Sequence, residues 1–181
     1  MNNKNKLFCK KCVNPISAVN INFSADLICS VCKSHETFWK ISQKDWKKRK
    51  ILLENIFKKY KKLTSNQNYD CIVPVSGGKD SYYQTHIVQS FGLKPLLVTY
   101  DGDNYTDEGA YNRDRMRHVF NADHIVFGPS IEKLKILNLV AFKVMGDMNW
   151  HNHCGITTYP VIIANKLKIP LIIWGETPLD I

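Results

Sequence analysis

Six consecutive residues, Ser76-Gly77-Gly78-Lys79-Asp80-Ser81, carry the densest chemistry in the sequence. Gly77 and Gly78 permit positive φ and let an anion approach the backbone amides closely, while Ser76 and Ser81 add hydroxyl donors and Lys79 adds a charge. The apolar run Cys71-Ile-Val-Pro-Val75 before them reads as a strand, and Tyr82 to Phe91 after them as a helix. A helix N-terminus contributes unpaired amides and the positive end of a dipole, so a phosphate is the expected guest. A Walker A loop would need Ser or Thr after Gly-Lys, but Asp80 stands there and the loop is too short. The glycine spacing also differs from that of the dinucleotide fingerprint.

The second constellation is Cys9-Lys-Lys-Cys12 and Cys29-Ser-Val-Cys32, with sixteen residues between the pairs. The segment around them is too short and too poor in apolar residues to build its own core. Two Cys-x-x-Cys knuckles can instead hold tetrahedral zinc, which contributes on the order of 10 kcal/mol to folding. The spacing fits a zinc ribbon with a hairpin between the knuckles and a closed, structural site. His35 then reads as a surface residue, because four sulfurs fill the shell. A redox dithiol is the weaker reading, since neither pair is expected to open a helix after a strand.

The elements that must position these groups fall into three parts: a zinc ribbon over residues 1–38, a basic amphipathic helix and linker over 39–68, and a domain carrying the glycine-rich loop over 69–181. The helix spans roughly Ser42 to Leu63, with Ser42 and Asp45 placed as an N-terminal cap. A polar loop, Thr64 to Asn68, follows it. From Tyr69 onward, candidate strands Cys71 to Val75, Pro95 to Tyr100, His124 to Phe127 and Leu171 to Trp174 alternate with helical stretches. That alternation predicts an α/β fold with a Rossmann-like parallel sheet covered by helices on both faces, ligands binding at the carboxyl ends of its strands.

Composition agrees with a globular protein. The 181 residues are 44% hydrophobic and 23% charged. No apolar run is long enough for a membrane span, and the polar N-terminus has no signal core, so a cytoplasmic location is expected. The net charge of +9 is local: ten of the 25 basic residues fall between Lys40 and Lys62. There Trp46, Leu53, Ile56, Phe57, Tyr60 and Leu63 recur at helical spacing. The lysines therefore read first as the solvated side of a helix and only second as an RNA-binding face.

Other candidates are weighed individually. Asp101 follows the second strand, where it could contact ribose, adenine or metal, or merely form a turn with Gly102. Trp150 to Cys154 reads as a polar, substrate-facing loop before a helix starting near Gly155, with His151 and His153 too irregularly spaced for a common metal site. His153 is a candidate acid/base or phosphate contact. Glu176, after the fourth strand, could bind magnesium or accept a proton from ammonia.

The loop matches the Ser-Gly-Gly-x-Asp-Ser signature and resembles that of the PP-loop ATP pyrophosphatases. That resemblance implies that ATP is held by its pyrophosphate portion with magnesium, that a substrate oxygen attacks the α-phosphorus, and that Lys79 and Asp80 assist. Asp80 would hold the metal or order the loop. A narrower resemblance covers nearly the whole chain. The order of ribbon, basic helix and Tyr69-Asp70-Cys71-Ile72-Val73-Pro74-Val75 is similar to that of N-acetyl sugar amidotransferases of surface-polysaccharide and nonulosonic acid biosynthesis. So are Pro95-Leu96-Leu97-Val98-Thr99-Tyr100-Asp101, His124-Ile125-Val126-Phe127, Gly146-Asp147, His153 with Gly155-Ile156, and Ile169 to Glu176. It implies that the acetamido oxygen of a free or nucleotide-linked sugar is adenylated and that ammonia displaces AMP.

Ammonia would come from partners resembling glutaminase and cyclase subunits, because Cys71 lies in a buried strand and Cys154 lacks the flanks of a nucleophile elbow. Family members continue beyond Ile181, so the ATP domain is expected to be incomplete at its C-terminus. Two other readings stay open: a tRNA-thiolating PP-loop enzyme, and a truncated remnant that binds zinc and nucleotide without turnover. A nucleic-acid partner is not expected from the longer resemblance.

Overall fold

The computed structural model describes residues 8–102 and 105–175. The chain forms two compact units that divide between Leu53 and Glu54, inside one helix.

In the first unit the cysteine knuckles are joined by irregular chain with two isolated antiparallel bridges, Phe8 to Pro15 and Phe23 to Cys29. Helix α1, Ser30–Trp39, follows directly. Here one expectation fails: the second Cys-x-x-Cys pair does open a helix. Cys29 is the cap residue, and its sulfur accepts from the Cys32 amide at 3.4 Å. Cysteine thus does the work usually given to Ser or Asp at an N-cap.

Helix α2, Gln43–Leu63, starts where the sequence pattern places it. Ser42 Oγ accepts from the Asp45 amide at 3.1 Å and donates to the Asp45 carboxylate at 2.6 Å, a variant of the capping box. Its apolar stripe is less buried than expected. Phe57 is in a core, but Ile51, Leu52, Leu53, Ile56 and Leu63 are exposed.

The second unit is a parallel sheet in the order β1-β2-β3, with β1 Cys71–Pro74, β2 Pro95–Tyr100 and β3 His124–Phe127. Leu171 to Ile173 lies on the other side of β1. It pairs as a single parallel bridge, Ile72 to Ile172, with the Ile72 amide donating to Leu171 O and the Ile173 amide to Ile72 O, both at 2.9 Å. The expected fourth strand is therefore present in place and direction but is no longer than that bridge.

Helices α3, Lys79–Ser90, and α4, Asp107–Phe120, cover one face. There Val73, Val75 and Leu97 pack with Phe57, Val88, Leu93 and Met116. Helix α6, Trp150–Leu167, covers the other through Ile72, Leu96, Val98, Ala164 and Ile169. Helix α5, Ile131–Met145, packs beside α6. The α/β architecture with helices on both faces is the one the alternating pattern implies. β1 to β3 progress outward, and the chain then returns to the far side of β1, so the sheet reverses direction beside β1. Ligands of such sheets bind outside the carboxyl ends at this reversal.

The linker before β1 is more than a polar loop. Thr64 and Asp70 are both buried, and the Thr64 hydroxyl is hydrogen-bonded to the Asp70 carboxylate. The other Asp70 oxygen accepts from the Lys94 amide at 2.7 Å. Among the described residues no helix is long and apolar enough to cross a membrane.

Candidate functional site

The carboxyl end of β1 is braced from below. Thr99 Oγ1 donates to Val75 O at 2.6 Å, and His124 Nε2 lies 2.9 Å from that hydroxyl. Since the hydroxyl proton goes to Val75, the imidazole must be the donor, which fixes the Nε2–H tautomer. Burial first, and the nearby Arg113 charge second, pull His124 down to about 4, so the ring is neutral at neutral pH.

Immediately above, Gly77 takes φ +83°, in the left-handed region. A Cβ on Gly77 would stand 2.5 Å from Arg113 N and 2.7 Å from its Cα, so only glycine lets the loop pass the middle of α4. The loop is closed by Ser81, whose hydroxyl accepts from the Ser76 amide at 2.9 Å and lies 3.3 Å from Ser76 Oγ. Gly78 is the cap residue of α3, and no side chain caps the helix. The first-turn amides of Lys79, Asp80 and Ser81 are therefore left without intrahelical acceptors. Three of the six motif residues, expected in the turn, are thus the first turn of α3, because the helix begins as soon as the glycines have reversed the chain. Amides, hydroxyls and the helix dipole converge on one side, an arrangement suited to an anion.

Lys79 and Asp80 are exposed and paired with each other, Nζ lying 2.9 Å from Oδ1 and 3.0 Å from Oδ2. An arriving anion would compete for this lysine. Asp101 follows β2, its amide donating to Phe127 O at 2.7 Å. Its carboxylate receives a 2.5 Å hydrogen bond from Arg113 Nη1. Arg113 also donates to Asp114 at 2.9 Å and lies 4.8 Å from the Tyr105 ring centroid. This nearly buried arginine is the residue that sequence reasoning missed. It stands in a helix full of charges, and nothing in one sequence separates it from its neighbours Arg115 and Arg117.

The segment Trp150 to Cys154 is not a loop: it is the first turn of α6. Asp147 Oδ1 accepts from the Asn149 amide at 2.8 Å to start the turn. His151, buried against α5, has Nε2 2.6 Å from Asn138 Oδ1. Gly155 lies flat on Tyr100, where a Cβ would come within 2.4 Å of the ring. That contact seats the start of α6 at the same carboxyl edge as the phosphate loop. His153 is exposed there on α6. Glu176 lies outside the described residues. Cys71 is fully buried, and burial, with the Asp70 charge adding to it, pushes its thiol up to about 12. This agrees with its exclusion as a nucleophile. A separate hollow of about 300 Å³, lined by Asn66 to Tyr69, Leu167 and Ile169, sits at the opposite edge of the sheet.

In the first unit the sulfurs of Cys9, Cys12, Cys29 and Cys32 all lie within 4.8 Å of one another. Cys9 is 3.8 Å from Cys32, and Cys12 is 3.5 Å from Cys29. Four sulfurs about 2.3 Å from a common ion are roughly 3.8 Å apart in a tetrahedron, so the cluster can hold a metal. The close pairs run between the knuckles rather than within them, which argues against two separate dithiols. Burial raises the Cys9 thiol, but hydrogen bonds from the Cys29, Cys12 and Lys11 amides outweigh it and bring it down to about 6. Cys32, hydrogen-bonded to Cys12 and partly desolvated, is pushed up to about 12.

No protein-family model matches the chain, and no curated protein matches it. Among solved structures it is similar to the NMN synthetase from Francisella tularensis, with a TM-score of 0.46 and 14% sequence identity over 64% of this chain and 52% of that one. The chain thus spans about half the length of that protein.

Proposed function

We propose that the chain is an ATP pyrophosphatase-type enzyme in which the Ser76–Ser81 loop seats the pyrophosphate portion of ATP. The observation that carries this reading is the uncapped N-terminus of α3 behind a positive-φ Gly77, placed where the sheet reverses beside β1. The amides of the first turn would bind the β- and γ-phosphates, and Lys79 would leave Asp80 for them. Asp80, then free, supplies the single carboxylate with which magnesium is commonly held alongside phosphate oxygens. When bound, the ion would neutralise charge developing on the departing pyrophosphate. The cysteine cluster fits zinc, with Cys9, Cys12, Cys29 and Cys32 as a closed, structural ligand set.

The finer reading follows the resemblance along the sequence. The acetamido oxygen of a free or nucleotide-linked sugar attacks the α-phosphorus, and the bond from that phosphorus to the bridging oxygen breaks, releasing pyrophosphate. Ammonia then adds to the activated carbon. The carbon–oxygen bond to AMP breaks and a proton leaves nitrogen, giving an acetamidino sugar. Positioning and electrostatics supply the rate enhancement. Ammonia would be delivered by a separate glutaminase-type partner, because Cys71 is locked in β1. His153 and Glu176 are proposed as catalytic groups acting on substrate and ammonia, and Asp101 as a contact to ribose, adenine or metal.

Calorimetric titration with ATP, followed by a pyrophosphate-release assay with ammonium and acetamido sugars, tests both levels. ATP binding lost in Gly77→Ala supports the loop, and sugar-dependent pyrophosphate release supports the amidotransferase. Absence of ATP binding by the folded, metal-loaded protein overturns the whole reading, whereas ATP binding with no response to any acetamido sugar overturns only the finer one.

A further inference from the structure

We propose that the α1–α2 face of the first unit is a docking surface for single-stranded nucleic acid. Phe38 and Trp39 end α1 and Trp46 stands in the second turn of α2, with Phe38 5.6 Å from Trp46 and 6.4 Å from Trp39 between ring centroids. All three are open to solvent, Trp39 at 73% and Phe38 at 51%. This is a cluster rather than scattered exposure, and clustered aromatic surface marks a binding site.

Local hydrogen bonds order each side of the corner that presents it. Trp39 Nε1 donates to the His35 imidazole at 3.0 Å, and the Ser42–Asp45 cap sets the start of α2. Charge identifies the occupant. Between Lys40 and Lys50 the sequence places six cationic side chains against one carboxylate, Asp45, which is already paired with Lys48 at 3.3 Å. Arg49 sits 5.2 Å from the Trp46 ring centroid. Aromatic faces for bases, ringed by cations for phosphates, are the two components of single-strand recognition. A bilayer would favour a continuous apolar run, whereas Lys40 and Lys44 separate Trp39 from Trp46 along the chain. An acidic peptide would satisfy the cations without using the rings. The surface lies wholly within the first unit and owes nothing to the phosphate loop.

The test is fluorescence anisotropy of a labelled single-stranded oligonucleotide of about 12 nucleotides, titrated with the metal-loaded full chain at several salt concentrations. Saturable binding is expected, weakening with salt by a log–log slope of about −0.7 per phosphate neutralised. Trp39→Ala should weaken binding about fivefold to a hundredfold with the slope unchanged, and Trp39→Phe should recover most of it. Arg49→Gln should reduce the slope by about 0.7. Three results would overturn the assignment: no saturable binding at low salt, Trp39→Ala binding like the parent, or attachment to phosphatidylglycerol vesicles without oligonucleotide binding. Metal content and the melting curve of each variant, measured alongside, show that the exposed substitutions leave the unit folded.

Discussion

Gly77 passes the backbone of Arg113 with no room for a side chain, at the point where Arg113 turns its guanidinium to the carboxylate of Asp101. One α4 residue therefore buttresses the loop with its main chain and neutralises the end of β2 with its side chain. The two glycines of the motif consequently differ. Gly77→Ala meets both a 2.5 Å approach and an unfavourable φ, and should cost about 1–3 kcal/mol of stability along with ATP binding. Gly78→Ala, whose Cβ would find only Ser76 Oγ at 3.5 Å, should stay within about 1 kcal/mol of the parent. Thermal melts with and without ATP compare the two directly.

The Thr64–Asp70 pair should be a stability determinant remote from chemistry. Asp70→Ala leaves the Lys94 amide without its acceptor and the Thr64 hydroxyl with Tyr60 O alone, 2.8 Å away, for an expected loss of about 1–3 kcal/mol. Asp70→Asn, which keeps one acceptor oxygen, should lose less. Urea unfolding gives both values, and equal losses for the two would contradict this role.

Stability should also carry a pH signature from His124. Its folded value near 4 lies below the ordinary value of 6.5, so the unfolded chain takes up a proton first as pH falls. The contribution is complete above about pH 6.5 and is lost as pH drops towards and through 4. His124→Gln keeps a donor for Thr99 but cannot titrate, and should flatten the stability curve across that window. A curve of unchanged steepness would remove His124 as the cause.

Metal removal should act on the first unit. One metal ion per chain is expected by elemental analysis, and Cys29→Ser should abolish it, because Cys29 is both one of the four clustered thiols and the cap of α1. Under a strong chelator, circular dichroism should show loss of α1. Fluorescence from Trp39 and Trp46 should change in a Trp150→Phe, Trp174→Phe background. Retention of α1 without metal would mean that packing alone holds this unit.

Much of the fold was legible because its signals are local. The β1, β2 and β3 positions follow from short apolar runs bounded by turn residues, and the Ser42–Asp45 cap from two residues three apart. The cysteine cluster follows from spacing, since two tight knuckles leave few ways to arrange four thiols. Errors arose where neighbours in space decide. Trp150 to Cys154 has a loop's composition, but the His151–Asn138 hydrogen bond and the Gly155–Tyr100 contact, both between distant segments, make it helical. The helix opened by Cys29 was missed because a cysteine sulfur is an unusual cap.

The sequence by itself determined the chemical inventory and its order: a loop able to present amides to an anion, four thiols spaced for a metal, and strands that must pair in parallel because helices separate them. Only the tertiary structure decided which groups meet. Arg113 reaches Asp101 and Gly77 through the packing of α4 beside α3, and His124 braces Val75 through Thr99 across three strands. Those contacts depend on sheet register and helix placement, which arise from burying side chains far apart in the chain and leave no periodic trace in any one segment.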